Sequence, residues 1–415
     1  MLPVIKMAAV FALVVLMLQR KINLGVTMMA AALALGLLFG MGLVSIIKQA
    51  GLTFADSGTL TLMLALILIM VLESVMRRSG MLGDMTGSIF LLHWNPKVLT
   101  AAIPAIIGFL PSAGGARFSA PLVEQAMTGS SYRAEEKVFI NYWFRHVWEY
   151  SLPLYPGIIL AAQLSGVPLG RIILWQWPFT VVWALLGYWL VFRGKKMEIC
   201  SSTPVQQPLD KRPIVLLISS IWPILATVGL VIAHVPIVLA LLAVLAALMA
   251  QKKYPLIQVW DTLREPMTAG IVFLIWGTMA FKDILQVSGA VSQVSGIFIS
   301  SGVPPYAVAI VLPLMAGILT GLVQACIGVS FPLVLGVVEP TAAYVMLAYV
   351  SAVVGVMMSP VHLCFILTND YFQADFFRSY RSLIAPSLLV LAGAVTLFGF
   401  ASSRGVMAWS LHLLH

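Results

Sequence analysis

Apolar runs long enough to cross a bilayer follow one another almost from one end of this chain to the other. They occupy 2–19, 24–47 and 59–76, and again 213–234, 236–250 and 267–285. A hydrocarbon core about 30 Å thick needs roughly 20 such residues in a helix, so each run is a candidate span or part of one. Hydrophobic residues make up 61% of the chain and charged ones 9%, with a mean hydropathy of +1.01. A soluble domain carries about 25% charged residues. Lipid admits only helices and closed barrels, because every backbone polar group must be satisfied within the protein. The strand-length alternation of a barrel is absent. The fold class is an all-α integral membrane protein with room for about ten helices.

The net charge of +9 does not indicate nucleic acid, because Lys and Arg sit in short loops between the runs. That is the positive-inside pattern. The expected partners are the lipid bilayer and a small molecule, with no nucleic acid. Cys200, Cys326 and Cys364 are odd in number and widely spaced, which offers neither a disulfide frame nor a zinc spacing. The first apolar segment ends in Arg20-Lys21 without a small-residue cleavage site, and is expected to stay as the first helix.

The chain also repeats itself. Ser79-Gly80 and Ser288-Gly289 lie 209 positions apart, as do Pro104 and Pro313, and Gly108 and Gly317. "SAPLV" at 119–123 answers "SFPLV" at 330–334, and Ser151 answers Ser359. A nearly constant offset over about a hundred residues indicates internal duplication. Arg77-Arg78 aligns with Gln286-Val287, so one copy of this junction is basic and the other neutral. The rule that basic loops stay inside then makes the halves inverted, which needs an odd number of crossings in each.

Five crossings per half are expected. The first repeat is 1–192, with a re-entrant hairpin at 97–128 and a broken helix at 135–166. A cytoplasmic linker, 193–212, leads to the second repeat, 213–415. Its hairpin is expected at 303–338 and its broken helix at 340–374, interrupted at Ser359-Pro360. Residues 79–94 are expected along the interface. The protein would be multi-pass in the inner (cytoplasmic) membrane with both termini outside.

Irregular backbone at membrane depth is tolerated only where protein or a water-filled cavity satisfies its amides. Paired interruptions in inverted halves are the pattern of a secondary transporter, with its site near the midplane. Several residues near those interruptions are candidates for substrate binding. Ser112, Gly114, Gly115, Arg117 and Ser119 surround the first tip. Ser151 lies at the first break, Thr320, Gln324 and Ser330 near the second tip, and Ser359 and His362 at the second break. Arg117 suits a carboxylate or phosphate oxygen, or else a salt bridge to Glu124 or Glu149. Asn141, Arg145 and Glu149 share a helix face at four-residue spacing. Arg145, His146 and Glu149 are candidates for ion coupling or charge relay. Thr368, Asn369 and Asp370 are expected near the cytoplasmic interface in structural roles, with Glu73 and Asp84 pairing with Arg77 and Arg78.

The stretches "PSAGGARFSAP" (111–121) and "SPVHLCFILTNDYF" (359–372) resemble an uncharacterised prokaryotic membrane family, a domain of unknown function. With its two interrupted halves, the chain is similar to the ion transporter superfamily, which includes carriers of citrate, dicarboxylates and gluconate. The resemblance implies a substrate held between hairpin tips and helix breaks, a homodimer, and elevator-like alternating access. Dicarboxylate carriers of that group show Ser-Asn-Thr motifs in their hairpins. Ser119-Ala120-Pro121 and Ser330-Phe331-Pro332 stand there instead, so neither a dicarboxylate nor sodium carries over.

The leading expectation is a secondary active transporter of a small anionic metabolite, not an enzyme, without cofactor, and coupled to H+ or Na+. A flippase or exporter for a phosphate- or carboxylate-bearing lipid or metabolite is the alternative. An intramembrane metalloenzyme using His146, Glu149 and His362 ranks lower, for want of a His-Glu-x-x-His run or a second ligand cluster. No G-x-x-x-x-G-K-[ST] run supports ATP-driven transport.

Overall fold

The computed structural model describes residues 2–92, 94–110, 115–194 and 213–403, and its regular structure is helical throughout. The first half holds α1 (Leu2–Gln19), α2 (Leu24–Leu38), α3 (Leu43–Ala55), α4 (Ser57–Arg78), α5 (Met81–Leu91), α6 (Pro96–Ile107), α7 (Gly115–Ala126), α8 (Ala134–Arg145), α9 (Pro156–Ser165) and α10 (Leu169–Phe192). The second holds α11 (Pro213–Ile232), α12 (Ile237–Lys252), α13 (Leu256–Leu263), α14 (Pro266–Val287), α15 (Ala290–Ser300), α16 (Pro305–Thr320), α17 (Val323–Val334), α18 (Ala342–Met357), α19 (Leu363–Phe372) and α20 (Phe376–Ser403). Each of α14 to α20 begins 207–209 residues after its counterpart in α4 to α10.

Among the described residues, six helices are long and apolar enough to cross a membrane: α1, α4, α10, α11, α14 and α20. Helix starts carry the expected caps. Asn23, Asp56, Asn95 and Thr341 each accept a hydrogen bond from a first-turn N–H, satisfying donors that have no partner within the helix.

The apolar run 24–47 is not one helix. It breaks at 39–42, where Gly40 takes a positive φ of 88°, and α3 then starts at Leu43. That conformation is cheap only for glycine. At 13 residues, α3 is about 20 Å long and cannot span alone. The basic junction also differs from expectation, because Arg78 pairs with Glu265 at 2.9 Å, across to the start of α14.

Helices α8 and α18 are, with α17, among those buried over most of their surface. Every residue of α18 from Val345 to Met357 is buried, and so is every residue of α8 from Val138 to Arg145. A helix apolar or buried on all faces belongs to a core. The α16–α18 contact is close because both sides carry glycine. A Cβ at Gly317 would fall 2.6 Å from the Ala352 carbonyl oxygen, and one at Gly355 would collide with that of Leu314. Likewise, a Cβ at Gly108 would run into the Arg145 carbonyl, where α6 ends beside α8. On its other side α8 is tied to α10. The Trp143 and Trp183 rings stack with centroids 3.6 Å apart. Each indole N–H donates to the other residue's backbone carbonyl at 2.9 Å.

Candidate functional site

Helices α8 and α18 both stop at irregular segments. Helix α8 ends at Arg145, and a 3-10 turn over Val147–Tyr150 follows before α9 begins at Pro156. Helix α18 ends at Met357, and α19 starts at Leu363 after Ser359-Pro360. A proline cannot donate a backbone hydrogen bond and clashes with the preceding turn. Pro360 stands where α18 stops, whereas Pro153 lies further on, after the 3-10 turn that follows α8. The two interruptions, about two hundred residues apart in sequence, meet in space.

Their meeting point is a buried polar cluster. The His146 and His362 rings pack edge to face with centroids 5.1 Å apart. The Tyr142 ring contacts both histidines, and its hydroxyl donates to the Met357 carbonyl at 3.2 Å. Glu149 Oε1 lies 3.9 Å from His146 Nε2, and Tyr349 donates its hydroxyl to the Glu149 backbone carbonyl at 2.9 Å. Cys364 joins the group, with one ligand atom each from His146, His362 and Cys364 within 4.8 Å of one another. Arg145, His146, Glu149 and His362 are all less than a tenth exposed.

The imidazole tautomers follow from their partners. His146 Nδ1 is 2.6 Å from the Tyr142 carbonyl oxygen, and His362 Nδ1 is 2.9 Å from that of Gly321. A carbonyl oxygen can only accept, so each Nδ1 carries the proton. In the neutral form of each ring, Nε2 then keeps a lone pair. Among the described residues, His362 Nε2 and Glu149 Oε2 are buried without a hydrogen-bond partner. Buried polar atoms of this kind are uncommon and call for a functional explanation.

The other candidate residues fall in different surroundings. Arg117 is exposed on α7 beside Phe118, and Glu124, one of its expected partners, is occupied by Lys137 and the Tyr371 hydroxyl. Gly115 is the buried first residue of α7; Ser112 and Gly114 lie outside the described residues. The hydroxyls of Ser119, Thr320 and Ser330 donate to carbonyls of their own helices, as serine and threonine commonly do within helices. Ser359 donates to Ile318 in α16 at 2.7 Å, and Ser151 bonds Thr180 in α10 at 2.8 Å. Gln324 is half-buried. Thr368 and Asn369 are buried, while Asp370 is exposed.

Cys364 and Tyr142 were missed by sequence reasoning. For Cys364 the available signal was its place directly after the second break, two residues beyond His362. Asn141 has a bridging role one turn before Arg145, donating to the Ala116 carbonyl and the Thr368 hydroxyl, each at 3.1 Å. It thereby ties α7, α8 and α19 together. Asn141→Ala leaves the Ala116 carbonyl without this donor and should destabilise the protein by about 1–3 kcal/mol, read as a lower thermal midpoint in detergent.

Grooves elsewhere do not compete for a polar solute. One between α4, α12 and α13 is lined by Leu64, Val71, Leu245 and similar residues; another runs between α1 and α16. Neither is lined by a charged side chain.

The fold is similar to that of the YdaH transporter of Alcanivorax borkumensis, whose crystal structure is described as having an unusual topology. The TM-score is 0.58 at 16% identity, covering 88% of this chain and 89% of that one. At that identity the likeness concerns the fold. No curated protein matches the chain. With its apolar helices and this fold, the protein is a multi-pass membrane protein in contact with the bilayer. A family profile described as "Protein of unknown function (DUF401)" matches residues 4–400, and the chain belongs to that family.

Proposed function

We propose that the protein is a secondary transporter of a small anionic metabolite, with its site where the two helix breaks converge. The observation that carries this reading is the buried cluster joining Arg145, His146 and Glu149 to His362. Intramembrane ionisable groups that face a protein interior mark substrate or ion pathways by default. The fold shared with a protein described as a transporter supports the same reading.

The recurring order of helices at a nearly fixed offset supports two inverted repeats, divided as 1–192 and 213–415 about the linker. Helices α6 and α7, of 12 residues each, are about 18 Å long and too short to cross singly. Their mutual packing supports a re-entrant hairpin over 97–128, with α16 and α17 as its counterpart over 303–338. Substrate would be held between hairpin tips and breaks, with Arg145 supplying the buried positive charge and Arg117 reaching in from α7. Glu149 and His146 would relay the coupling charge. Elevator-like movement, a homodimer, and an inner-membrane location with both termini outside complete the proposal.

The test is uptake in proteoliposomes across a panel of organic anions, with sodium and proton gradients imposed separately. We expect saturable flux of at least one anion that follows one gradient. A reconstituted, folded protein that moves none of them under either gradient would overturn the anion-carrier reading.

A further inference from the structure

We propose that the crossing of the two helix breaks is a binding site for one divalent metal ion of the zinc class. Its ligands are His146 Nε2, His362 Nε2 and Cys364 Sγ, with the Glu149 carboxylate as the fourth. Two ligands come from each half of the chain, so the ion would join the two breaks directly. This inference stands on ligand geometry and does not depend on what the protein transports; with the ion bound, His146 and Glu149 serve as ligands in place of the charge relay proposed above.

The ligand types come first. Zinc takes nitrogen, sulfur and carboxylate oxygen in a tetrahedral set, with bonds of about 2.0–2.3 Å. Ligand atoms around such an ion lie roughly 3.3–3.8 Å apart. Here the three atoms from His146, His362 and Cys364 lie within 4.8 Å of one another, and Glu149 Oε1 is 3.9 Å from His146 Nε2. Closing that three-atom spread takes side-chain adjustments of about an ångström, and the Glu149 carboxylate, which lies outside the three-residue group, must swing further to join it.

The ring orientations come next. A metal-bound histidine typically donates its other ring N–H to a carbonyl or carboxylate, which fixes the tautomer and aims the lone pair. Both histidines have that arrangement, through the Tyr142 and Gly321 carbonyls. The Gly321 carbonyl is held in place by a residue with φ of 64°, a conformation suited to glycine. Two independent backbone carbonyls therefore prepare two imidazoles in the same way.

The unsatisfied atoms complete the case. His362 and Glu149 are more than nine-tenths buried, yet among the described residues His362 Nε2 and Glu149 Oε2 have no hydrogen-bond partner. A metal ion would engage the histidine lone pair and the carboxylate together. Two neutral imidazoles, one thiolate and one carboxylate match a double positive charge, and the Arg145 guanidinium beside Cys364 adds one further positive charge. The thiolate and carboxylate mix favours zinc-like ions over magnesium or calcium, which prefer oxygen alone.

The test uses the full chain in detergent, stripped of metal with a chelator and titrated with Co2+ as a spectroscopic stand-in for Zn2+. Cys200→Ser and Cys326→Ser are combined so that Cys364 is the sole thiol. We expect one Co2+ per chain, with near-ultraviolet thiolate-to-cobalt absorption that Zn2+ abolishes. Cys364→Ser should remove that band, and His362→Gln should weaken Co2+ binding at least tenfold. In the unaltered protein, Zn2+ should slow alkylation of Cys364, read by peptide mass spectrometry, so a poorly folding variant does not leave the question open. Absence of the band at saturating Co2+, its persistence in Cys364→Ser, or an alkylation rate indifferent to Zn2+ would each overturn the proposal.

Discussion

Arg145→Gln is expected to cut anion flux by about thirtyfold or more. Arg145 is 4% exposed at the end of α8, at the lip of the break. Truncating one member of a buried charged group typically costs 2–5 kcal/mol or more, and each 1.4 kcal/mol is a factor of ten. Arg145→Lys keeps the charge but loses the planar fork, so it should recover only part of the flux if the anion is gripped by two oxygens. Arg117→Gln is the informative comparison. If the hairpin side contributes more to anion binding than the break does, its flux will fall further than that of Arg145→Gln. Initial uptake rates in proteoliposomes, normalised to folded protein by gel filtration, distinguish the two.

The second large effect concerns stability. Gly355→Leu should destabilise the protein by about 3 kcal/mol, because the new side chain must displace backbone rather than a flexible neighbour. Overpacking a well-filled core typically costs 1–3 kcal/mol and occasionally more. Small residues let membrane helices approach closely, and packing there is a main source of association energy. Gly393→Ala in α20 is the control, since a Cβ at that position meets nothing within 4 Å. A large drop in thermal midpoint and in monodisperse yield is expected for Gly355→Leu alone. Equal midpoints for the two variants would show that the close contact does not limit stability.

Hydropathy made the helical class legible because it is a local property, visible within a window of about 20 residues. The segment 24–47 shows where that fails. Apolar residues continue through 39–42, so hydropathy sees no boundary, while the turn is made by Gly40 and the chain restarts as α3. Proline is only a partial guide to such breaks: Pro360 lies in one, yet Pro104, Pro178, Pro313 and Pro386 sit inside continuous helices.

Side-chain direction was much less legible. Arg117 and Arg145 look alike in sequence, each a lone arginine in an apolar stretch near a break. One is exposed and the other buried, a difference set by which helices pack on α7 and α8. Cys364 is the clearest case. Judged against Cys200 and Cys326 it has no meaningful spacing, because its neighbours in space are His146, more than two hundred positions away, and His362. The hydroxyls of Ser119, Thr320 and Ser330 pointed to a site by position, yet each donates within its own helix, a choice that hydropathy and spacing do not encode.

The stacked indoles of Trp143 and Trp183 have a mechanical consequence. They make α8 and α10 one stiff part, joined by two reciprocal hydrogen bonds instead of a loop. Much of α10 is turned outward, with Trp177, Leu185 and Trp189 exposed, so it is a face that acyl chains press upon. Changes in bilayer thickness or lateral pressure there would be passed through two rigid rings to Trp143, near the end of α8 and three residues from His146. The surrounding lipid thus has a short lever on the buried polar cluster.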